Sequence, residues 1–430
     1  MSTPFTLLVV LFIGLSLLRV PAAFAMIAAA IAYLAVGGRD VGLVAEQILN
    51  TLYNSYVLVA IPMFMLAANL MNVGSMSERL FDACHVLVGR MRGGLAQVDV
   101  LVSVLFASMS GSAVADAAGP GLVTIRAMTR AGYPRGFAAA IVAASSTLGP
   151  VIPPSIPMVL YALMSNASLG ALFLGGVVPG LLMAGSMMLV VWITAVRRNF
   201  PVEAVPPRTE WPRIFARAIG PLGMPAILLG GIYSGVFTPT EASAVAALYT
   251  LGLAGLVYRE MGLQQLVEVL TQTARQTTVI LLMICGAFAI NYAVATEQID
   301  KALAAWVAAM HLSPTGFLLT LNVLFLALGC LLEATTLLLV LVPVFLPAVA
   351  LLGIDPVYFG VVIIFNITIG LTIPPHGLLL FVLAALTKIP LREIFREIWL
   401  LVAGLVACLF LLVAFPGLVT ALPKAMGYLK

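Results

Sequence analysis

Two stretches of the chain carry nearly the same pattern, 221 positions apart. Residues 145–154 read SSTLGPVIPP and residues 366–375 read NITIGLTIPP, and each interrupts a long apolar segment with glycine and a proline pair. Proline lacks an N–H and clashes with the preceding turn, so a helix breaks there. In lipid, a broken helix is tolerated only where it is buried in protein or lines a water-filled cavity. The repeat therefore predicts two homologous halves, each contributing one unwound helix to a central site.

Composition restricts the chain to the membrane. Of its 430 residues, 62% are hydrophobic and 9% are charged, and the mean hydropathy is +1.15. Soluble domains carry about 25% charged residues, so a water-soluble fold is excluded. Because a helical span takes about 20 residues, the chain has room for about ten to twelve spans. We predict an all-α polytopic membrane protein.

Apolar runs separate the chain into spans, hairpins and interface helices. Two further apolar segments, 97–125 and 314–350, are predicted to be re-entrant hairpins that extend over about 97–131 and 314–351. Amphipathic stretches at 40–50, 75–92 and 297–312 are predicted to lie in the interface plane. The predicted spans are 4–18, 21–37, 52–73, 136–164, 168–196, 219–236, 239–258, 276–295, 356–385 and 398–421.

The distribution of basic residues orients this arrangement. If the N-terminus is periplasmic and both hairpins are re-entrant, 17 of the 21 Lys and Arg residues lie on the cytoplasmic side. The other 4 are Arg39, Lys301, Lys424 and Lys430. The positive-inside rule favours this asymmetry. If either hairpin were a full span, the asymmetry would be lost. We therefore expect an inner-membrane protein whose two halves are inverted across the membrane plane.

The repeat also defines the predicted domains. The first inverted repeat is 1–196 with its broken helix at about 136–164, and the second is 218–430 with its broken helix at about 356–385. A charged, proline-containing linker at 197–217 joins them on the cytoplasmic side. The offset that aligns the two breaks also places Ser112 of the first hairpin on Glu333 of the second.

Hydroxyl groups near the two breaks suggest cation sites. Carbonyls freed by a helix break can replace the hydration shell of an ion, and hydroxyl side chains complete the shell. The first set is Ser110 and Ser112 with the break at Gly149 and Ile152, and the second is Thr335 and Thr336 with Gly370 and Ile373. A single Ser or Thr inside a membrane helix often bonds only a preceding carbonyl. It is the duplicated arrangement that favours a functional interpretation.

Two acids lie within the hairpins. Asp116 and Glu333 are costly at membrane depth, at least about 2.5 kcal/mol each, so we expect them to cap a wet hairpin tip, to take part in ion binding or to shape a substrate cavity. Thr147, Thr368 and His376 are further candidates for that cavity. Weaker candidates are Glu241, which can cap the helix after TPT, and Asn291 and Asn366.

No enzyme is predicted. The chain has no P-loop, no Ser/His/Asp arrangement and no cluster with metal-ligand spacing. Its four cysteines lack CxxC spacing, so we interpret them as small buried apolar residues.

Taken together, the motifs SGSAVADAAGPG, STLGPVIPPSIPM, GGIYSGVFTPTEASAVAALY and GLTIPPHGLLLF resemble the large, DctM-like membrane subunit of tripartite ATP-independent periplasmic (TRAP) transporters. The similarity extends over essentially the whole chain. It implies a sodium-coupled secondary importer of small organic acids, with an elevator-type fold in which two hairpins and two broken helices form a moving transport domain.

The resemblance also implies partners and sites. The partners are a periplasmic substrate-binding protein and a small four-span membrane subunit, expected here as a separate chain. One sodium site would use Ser110, Gly149 and Ile152, and the second Thr335, Gly370 and Ile373. Ala113 and Val114 stand where relatives often have small polar residues.

Other functions compatible with these residues differ in their requirements. A single-component Na+- or H+-coupled dicarboxylate carrier or antiporter would need no partner protein. A proton-coupled version would use Asp116 or Glu333. A channel or a non-transporting scaffold subunit would not need paired broken helices.

Overall fold

The structure, a computed structural model, describes residues 2–18, 20–202, 205–330 and 332–429. All regular secondary structure in these ranges is helical, as predicted. The helices of the first half are α1 (Thr3–Leu17), α2 (Ala22–Val36), α3 (Gly42–Asn54), α4 (Ala60–Met71), α5 (Met76–Val88), α6 (Gly94–Ser110), α7 (Ala113–Ala118), α8 (Pro120–Arg130), α9 (Arg135–Ser146), α10 (Ile156–Ser165) and α11 (Leu169–Arg198).

The second half is helical as well. Its helices are α12 (Trp211–Tyr233), α13 (Pro239–Gly252), α14 (Leu263–Thr296), α15 (Ile299–Ala309), α16 (Pro314–Gly329), α17 (Ala334–Thr336), α18 (Val342–Leu351), α19 (Pro356–Gly370), α20 (Leu378–Thr387), α21 (Leu391–Ala414) and α22 (Gly417–Ala425). π-Helical turns at Leu253–Val257 and Leu337–Leu341 extend α13 and join α17 to α18.

Several helices are long and apolar enough to cross a membrane. Among the described residues six qualify, namely α11, α12, α13 with its π turn, α14, the α17–α18 segment and α21, and the bent α3–α4 pair makes a seventh. Helices α1 and α2, at 15 residues each, are shorter than the spans predicted there.

Some predicted boundaries shift. Helices α11 and α12 extend into the predicted linker, which leaves only Asn199–Glu210 between them. The predicted span at 398–421 is divided between α21 and α22, and α14 begins 13 residues before the predicted start at 276. The predicted interface helix at 40–50 continues to Asn54, and a 74° bend separates it from the segment Tyr56–Met71.

The two predicted helix breaks are present. Thr147–Ser155 separates α9 from α10, and Leu371–Gly377 separates α19 from α20. Each break contains one cis peptide bond, between the prolines of its pair. Every residue of α9 after Arg135 and every residue of α19 after Pro356 is buried. The helices that lead into the breaks therefore form the centre of the molecule.

Helix contacts follow the repeat. With the offset of 221, α9 corresponds to α19 and α11 to α21, and α9 packs against α21 just as α19 packs against α11. Each half-helix after a break contacts the hairpin of the other half: α10 contacts the π turn and α18, and α20 contacts α7. The two breaks and the two hairpins therefore form one connected group.

Candidate functional site

The first hairpin turns at a glycine pressed against the first break. Helix α6 ends at Ser110, Gly111 adopts φ +60°, and extended Ser112 begins α7, accepting a hydrogen bond from the Ala115 N–H at 3.4 Å. A Cβ on Gly111 would lie 2.6 Å from the carbonyl oxygen of Pro154. Only glycine permits both the positive φ and this close approach.

Asp116 closes the hairpin tip from inside. Ser110 Oγ donates to Asp116 Oδ1 at 2.5 Å, and the residue is 2% exposed. The other carboxylate oxygen, Oδ2, is buried and has no hydrogen-bond partner in the described residues. A Cβ on Gly149 would lie 2.7 Å from that oxygen and 3.1 Å from the Ser112 carbonyl carbon. The tip is therefore seated on Gly149, and a free carboxylate oxygen lies at the junction.

The first break is wholly buried. Thr147 Oγ1 donates to the carbonyl of Ala144, so its hydrogen is used within the preceding turn. In the described residues, no hydrogen bond reaches the carbonyl oxygens of Gly149 or Ile152. The Ile152 side chain packs against α11, where a Cβ on Gly180 would lie 2.4 Å from Ile152 Cγ1. Of the predicted residues, Ser110, Ser112, Asp116 and Gly149 are thus brought together.

The second hairpin meets its break through backbone. A Cβ on Gly370 would lie 3.0 Å from the Cα of Gly329, the last residue of α16. Glu333 is the extended N-cap residue of α17, the role that Ser112 has for α7, which agrees with the predicted alignment of these two positions. Thr336 Oγ1 donates to Glu333 Oε2 at 3.4 Å. The short helix α17, which carries Thr335 and Thr336, contacts α19.

The two junctions differ in exposure. Residues 147–154 are buried, whereas Ile373 is half-buried and Pro375 and His376 are exposed. Gly370 O accepts from the Ile373 N–H at 3.3 Å and Ile373 O accepts from the Gly377 N–H at 3.0 Å. Thr368, like Thr147, donates to a carbonyl of the preceding turn, that of Phe365, at 2.8 Å. The second junction is therefore the more open one.

The weaker candidates have structural partners. Glu241 and Thr238 form a capping box at the start of α13, so the capping interpretation of Glu241 is confirmed. Asn291 Nδ2 donates to the Leu339 carbonyl at 3.1 Å and joins α14 to the π turn. Asn366 Nδ2 donates to Asn322 Oδ1 at 2.6 Å.

Sequence reasoning missed a third buried acid. Asp99, 1% exposed on α6, accepts a hydrogen bond from Ser145 Oγ at 2.7 Å. The signal was present, because Asp99 interrupts the apolar run VDVLV inside the predicted hairpin. Gly329 was missed as well, and nothing in the sequence around it distinguishes it from an ordinary helical glycine.

A basic cavity opens between α8 and the end of α20. Its volume is about 350 Å³, and Arg126, Arg130 and Arg135 line it together with apolar residues that include Ile125 and Ile389. The three guanidinium groups make this opening attractive to anions.

Comparison with known proteins places this geometry in a family. Residues 9–418 match the family described as "Tripartite ATP-independent periplasmic transporter, DctM component". The chain is 38% identical over 418 residues to the sialic acid TRAP transporter large permease protein SiaM of Vibrio cholerae serotype O1, covering 97% of this chain and 98% of the relative. It is 41% identical over 374 residues to the C4-dicarboxylate TRAP transporter large permease protein DctM of Pseudomonas aeruginosa, covering 86% and 87%.

Two further likenesses extend the comparison. The 2,3-diketo-L-gulonate TRAP transporter large permease protein YiaN of Escherichia coli is 36% identical over 380 residues, with 88% of this chain and 89% of the relative covered. Among solved structures, the YdaH transporter of Alcanivorax borkumensis superposes with a TM-score of 0.60 at 15% identity, covering 86% of this chain and 87% of that one. The latter is a likeness of fold alone.

The named relatives are transporter permeases rather than enzymes. Because the family match and these alignments extend over nearly the whole chain, the protein belongs to the DctM component family of tripartite ATP-independent periplasmic transporters, as a large permease subunit.

Proposed function

We propose that this subunit imports a small organic acid in symport with sodium. In this proposal a periplasmic binding protein delivers the acid, and a small membrane subunit completes the complex. The inside-negative potential contributes about 2.3 kcal/mol per charge moved and per 100 mV.

One observation carries the sodium assignment. Asp116 Oδ2 is buried, lacks a hydrogen-bond partner in the described residues, and lies beside Gly149. A buried carboxylate oxygen without a donor is costly unless a cation or a proton satisfies it. The Ser110 hydroxyl and the carbonyls of Gly149 and Ile152 offer further oxygens nearby, and α9 directs its partially negative C-terminal end at the same break.

We assign the second sodium site to Thr335, Thr336, Gly370 and Ile373. The carbonyls of Gly370 and Ile373 already accept one N–H each, but a carbonyl oxygen has a second lone pair. The greater exposure of this junction supports an ion that enters or leaves here more readily than at the first site.

The substrate class follows from relatives and charge. The three relatives are named for sialic acid, C4-dicarboxylates and 2,3-diketo-L-gulonate, all of which carry a carboxylate. The opening lined by Arg126, Arg130 and Arg135 offers a cytoplasmic path that attracts such anions. Of the side chains predicted for the substrate cavity, we assign Glu333 and His376 to it, because both are exposed at the second junction. Asp116 belongs to the first ion site in this proposal, and the hydroxyls of Thr147 and Thr368 bond the preceding turn.

The proposed motion is an elevator movement of two inverted repeats. The corresponding packing of α9 on α21 and of α19 on α11 supports a transport domain that combines both hairpins and both broken helices. Helices α2, α4, α13 and α14, which contact one another in the pairs α2–α14 and α4–α13, are suited to the stationary scaffold.

Uptake by reconstituted vesicles tests the proposal. The chain and its small subunit are placed in proteoliposomes, and radiolabelled organic acids are supplied with a binding protein, with and without an inward sodium gradient. We expect uptake to require both sodium and the binding protein. Uptake without the binding protein would indicate a single-component carrier, and uptake that follows pH rather than sodium would assign the Asp116 site to a proton.

Two variants test the ion sites directly. We expect Ser110→Ala and Thr335→Ala to lose sodium-dependent uptake or to need at least about tenfold more sodium, because each removes an ion-facing hydroxyl. Ser186→Ala and Thr278→Ala are matched controls, since their hydroxyls bond carbonyls of the preceding turn on α11 and α14. Unchanged sodium dependence in both site variants, with normal membrane insertion, would contradict the site assignment.

A further inference from the structure

Two buried polar pairs occupy similar places in the two halves, although only their broken-helix members are at corresponding positions. Ser145 and Asn366 are related by the offset of 221, and each lies in the last two turns of the helix that leads into a break. Each is fully buried and bonds a polar residue on the first arm of the hairpin in its own half. Neither pair belongs to the ion sites proposed above.

In the first half the partner is a carboxylate. Ser145 Oγ lies 2.7 Å from Asp99 Oδ2 and 3.2 Å from the Val142 carbonyl, and we take the shorter contact to the acid as the principal bond. The hydroxyl of Thr124, on the return arm α8, donates instead to the Pro120 carbonyl at 3.0 Å. The acid therefore joins α6 and α9 at one buried point.

In the second half the pair is made of amides. Asn366 Nδ2 donates to the Asn322 carbonyl at 2.9 Å and to Asn322 Oδ1 at 2.6 Å. Asn322 Nδ2 donates in turn to the Leu318 carbonyl at 2.8 Å, which orients its oxygen toward Asn366. These bonds join α16 to α19.

We infer that the pairs Asp99–Ser145 and Asn322–Asn366 are equivalent positioning ties that keep each hairpin tip seated on the glycine of its break. Each tie fixes the register between the first arm of a hairpin and the broken helix. At 1.5 Å per residue, Asp99 lies about 16 Å along α6 from Ser110, and Asn322 lies about 10 Å along α16 from Gly329. A rigid helical arm transmits that register to the tip.

The tip contacts leave little tolerance for a shift in register. A Cβ on Gly111 would lie 2.6 Å from the Pro154 carbonyl oxygen, and a Cβ on Gly370 would lie 3.0 Å from the Gly329 Cα. A small sliding of either arm would therefore separate the tip from its break. Breaking one tie should loosen one tip and leave the other in place, because the ties lie in different halves.

One cysteine can report on each tip, a native one at the second tip and an introduced one at the first. Cys330 follows Gly329 at the second tip and is half-buried, whereas Cys84, Cys285 and Cys408 are buried. At the first tip, Val114 is 38% exposed, so Val114→Cys in a Cys330→Ser background reports there. The rate of maleimide labelling of the complex in proteoliposomes then measures how accessible each tip is.

The tie variants are matched across the halves. Without sodium, we expect Ser145→Ala to accelerate labelling at Val114→Cys about tenfold and to leave the labelling rate of Cys330 unchanged. We expect Asn322→Leu to accelerate labelling of Cys330 about tenfold and to leave the rate at Val114→Cys unchanged. Asp99→Asn retains an acceptor for the Ser145 hydroxyl, so its labelling rate at the first tip should stay close to that of the parent. Each variant also serves as the folding control for the other, because its unaffected reporter must behave as in the parent.

The sodium readout of this experiment rests on the proposed function, whereas the labelling rates without sodium do not. Equal acceleration at both tips, or at neither, would overturn the ties. In the parent protein, sodium should slow labelling at both reporters, and the tie variants should need about tenfold more sodium for the same protection of their own tip. Absence of any sodium protection in the parent would count against sodium coupling, while the sodium-free rates would still decide the ties.

Discussion

Single atoms decide whether the first hairpin can close. Gly149 has no side chain, and a methyl group there would lie 2.7 Å from Asp116 Oδ2 and 3.3 Å from the Ala113 nitrogen. Both neighbours belong to the hairpin tip, so the tip must move away to accommodate it. Overpacking of this kind costs about 1–3 kcal/mol, which corresponds to roughly a five- to 150-fold loss of the closed tip.

We therefore predict that Gly149→Ala lowers the apparent sodium affinity of uptake by at least about tenfold. The measurement is the sodium concentration for half-maximal uptake in proteoliposomes. Gly230→Ala is the matched control, because a Cβ on that helical glycine would meet nothing within 4 Å. A wild-type sodium response in Gly149→Ala would show that the tip does not need to approach the break.

Residue-scale prediction from sequence was helped where the repeat supplied a second copy. Ser110, Ser112 and Gly149 lie at one junction because glycine and proline at a helix break leave few alternatives, and their binding of an ion stays a prediction. Thr147 and Thr368 were placed in the substrate cavity, yet both hydroxyls donate to the preceding turn. A Thr hydroxyl inside a helix can donate to a carbonyl of its own helix without any other partner. The sequence therefore does not determine whether the hydroxyl faces a cavity or the preceding turn.

Helix ends were harder to predict than helix existence. The predicted span at 398–421 passed over Pro416, although the residue before a proline is disfavoured in the helical region, and Phe415 indeed adopts φ −126°, ψ 78°. Helix α14 begins at Leu263, earlier than predicted, and its first turns are polar. Gln265 Oε1 accepts a hydrogen bond from the Gly262 N–H there. Hydropathy alone sees only the apolar part of such a helix.

One interaction outside the spans anchors α5 to the loop that follows α13. Glu260 accepts hydrogen bonds from the Ser75 N–H at 2.7 Å and from Ser75 Oγ at 2.7 Å, and the Arg79 guanidinium lies 3.4 Å away. The backbone N–H of Ser75, followed by its hydroxyl, lowers the pKa of Glu260 from its usual value of 4.5. A carboxyl with a lowered folded pKa stabilises the fold above its unfolded pKa, and this stabilisation is lost as pH falls through the folded pKa.

We expect Glu260→Gln to lower the melting temperature of the detergent-solubilised protein at pH 7 and to lower it less near pH 4, where the stabilisation has begun to fall. The side chain is 30% exposed, so solvent screening limits the loss to about 0.5–1 kcal/mol. Glu268→Gln provides the control, because that acid bonds only the nearby Gln264 amide in the described residues. An identical melting difference for Glu260→Gln at both pH values would refute the electrostatic origin of the anchor.

Across the whole molecule, polar residues near the helix ends form two sets of contacts. Ser2 and Tyr33 both donate to Glu297, and the Arg39 guanidinium lies 5.6 Å from the centre of the Tyr33 ring. This group joins the N-terminus, the α2–α3 loop and the end of α14, which the orientation argument places together outside the cytoplasm.

The other group joins residues predicted to be cytoplasmic. Arg90 and Arg208 both lie within 6 Å of the Trp211 ring centre, at 5.6 and 5.9 Å, and Arg198 forms an ion pair with Glu397 at 2.7 Å. Segments that charge counting assigned to the cytoplasmic side thus contact one another. That their side is the cytoplasm is a prediction of the positive-inside rule.

Cysteine labelling in intact cells tests that orientation. Thr209, beside the Arg208 group, and Met426, near the C-terminal end, are both exposed. With a membrane-impermeant maleimide, we expect Met426→Cys to react in spheroplasts and Thr209→Cys to react only after permeabilisation, because the 17 basic residues hold their end in the cytoplasm. The parent, whose four cysteines are buried or half-buried, gives the background rate. The reverse pattern would invert the whole molecule, and with it the side from which each hairpin opens.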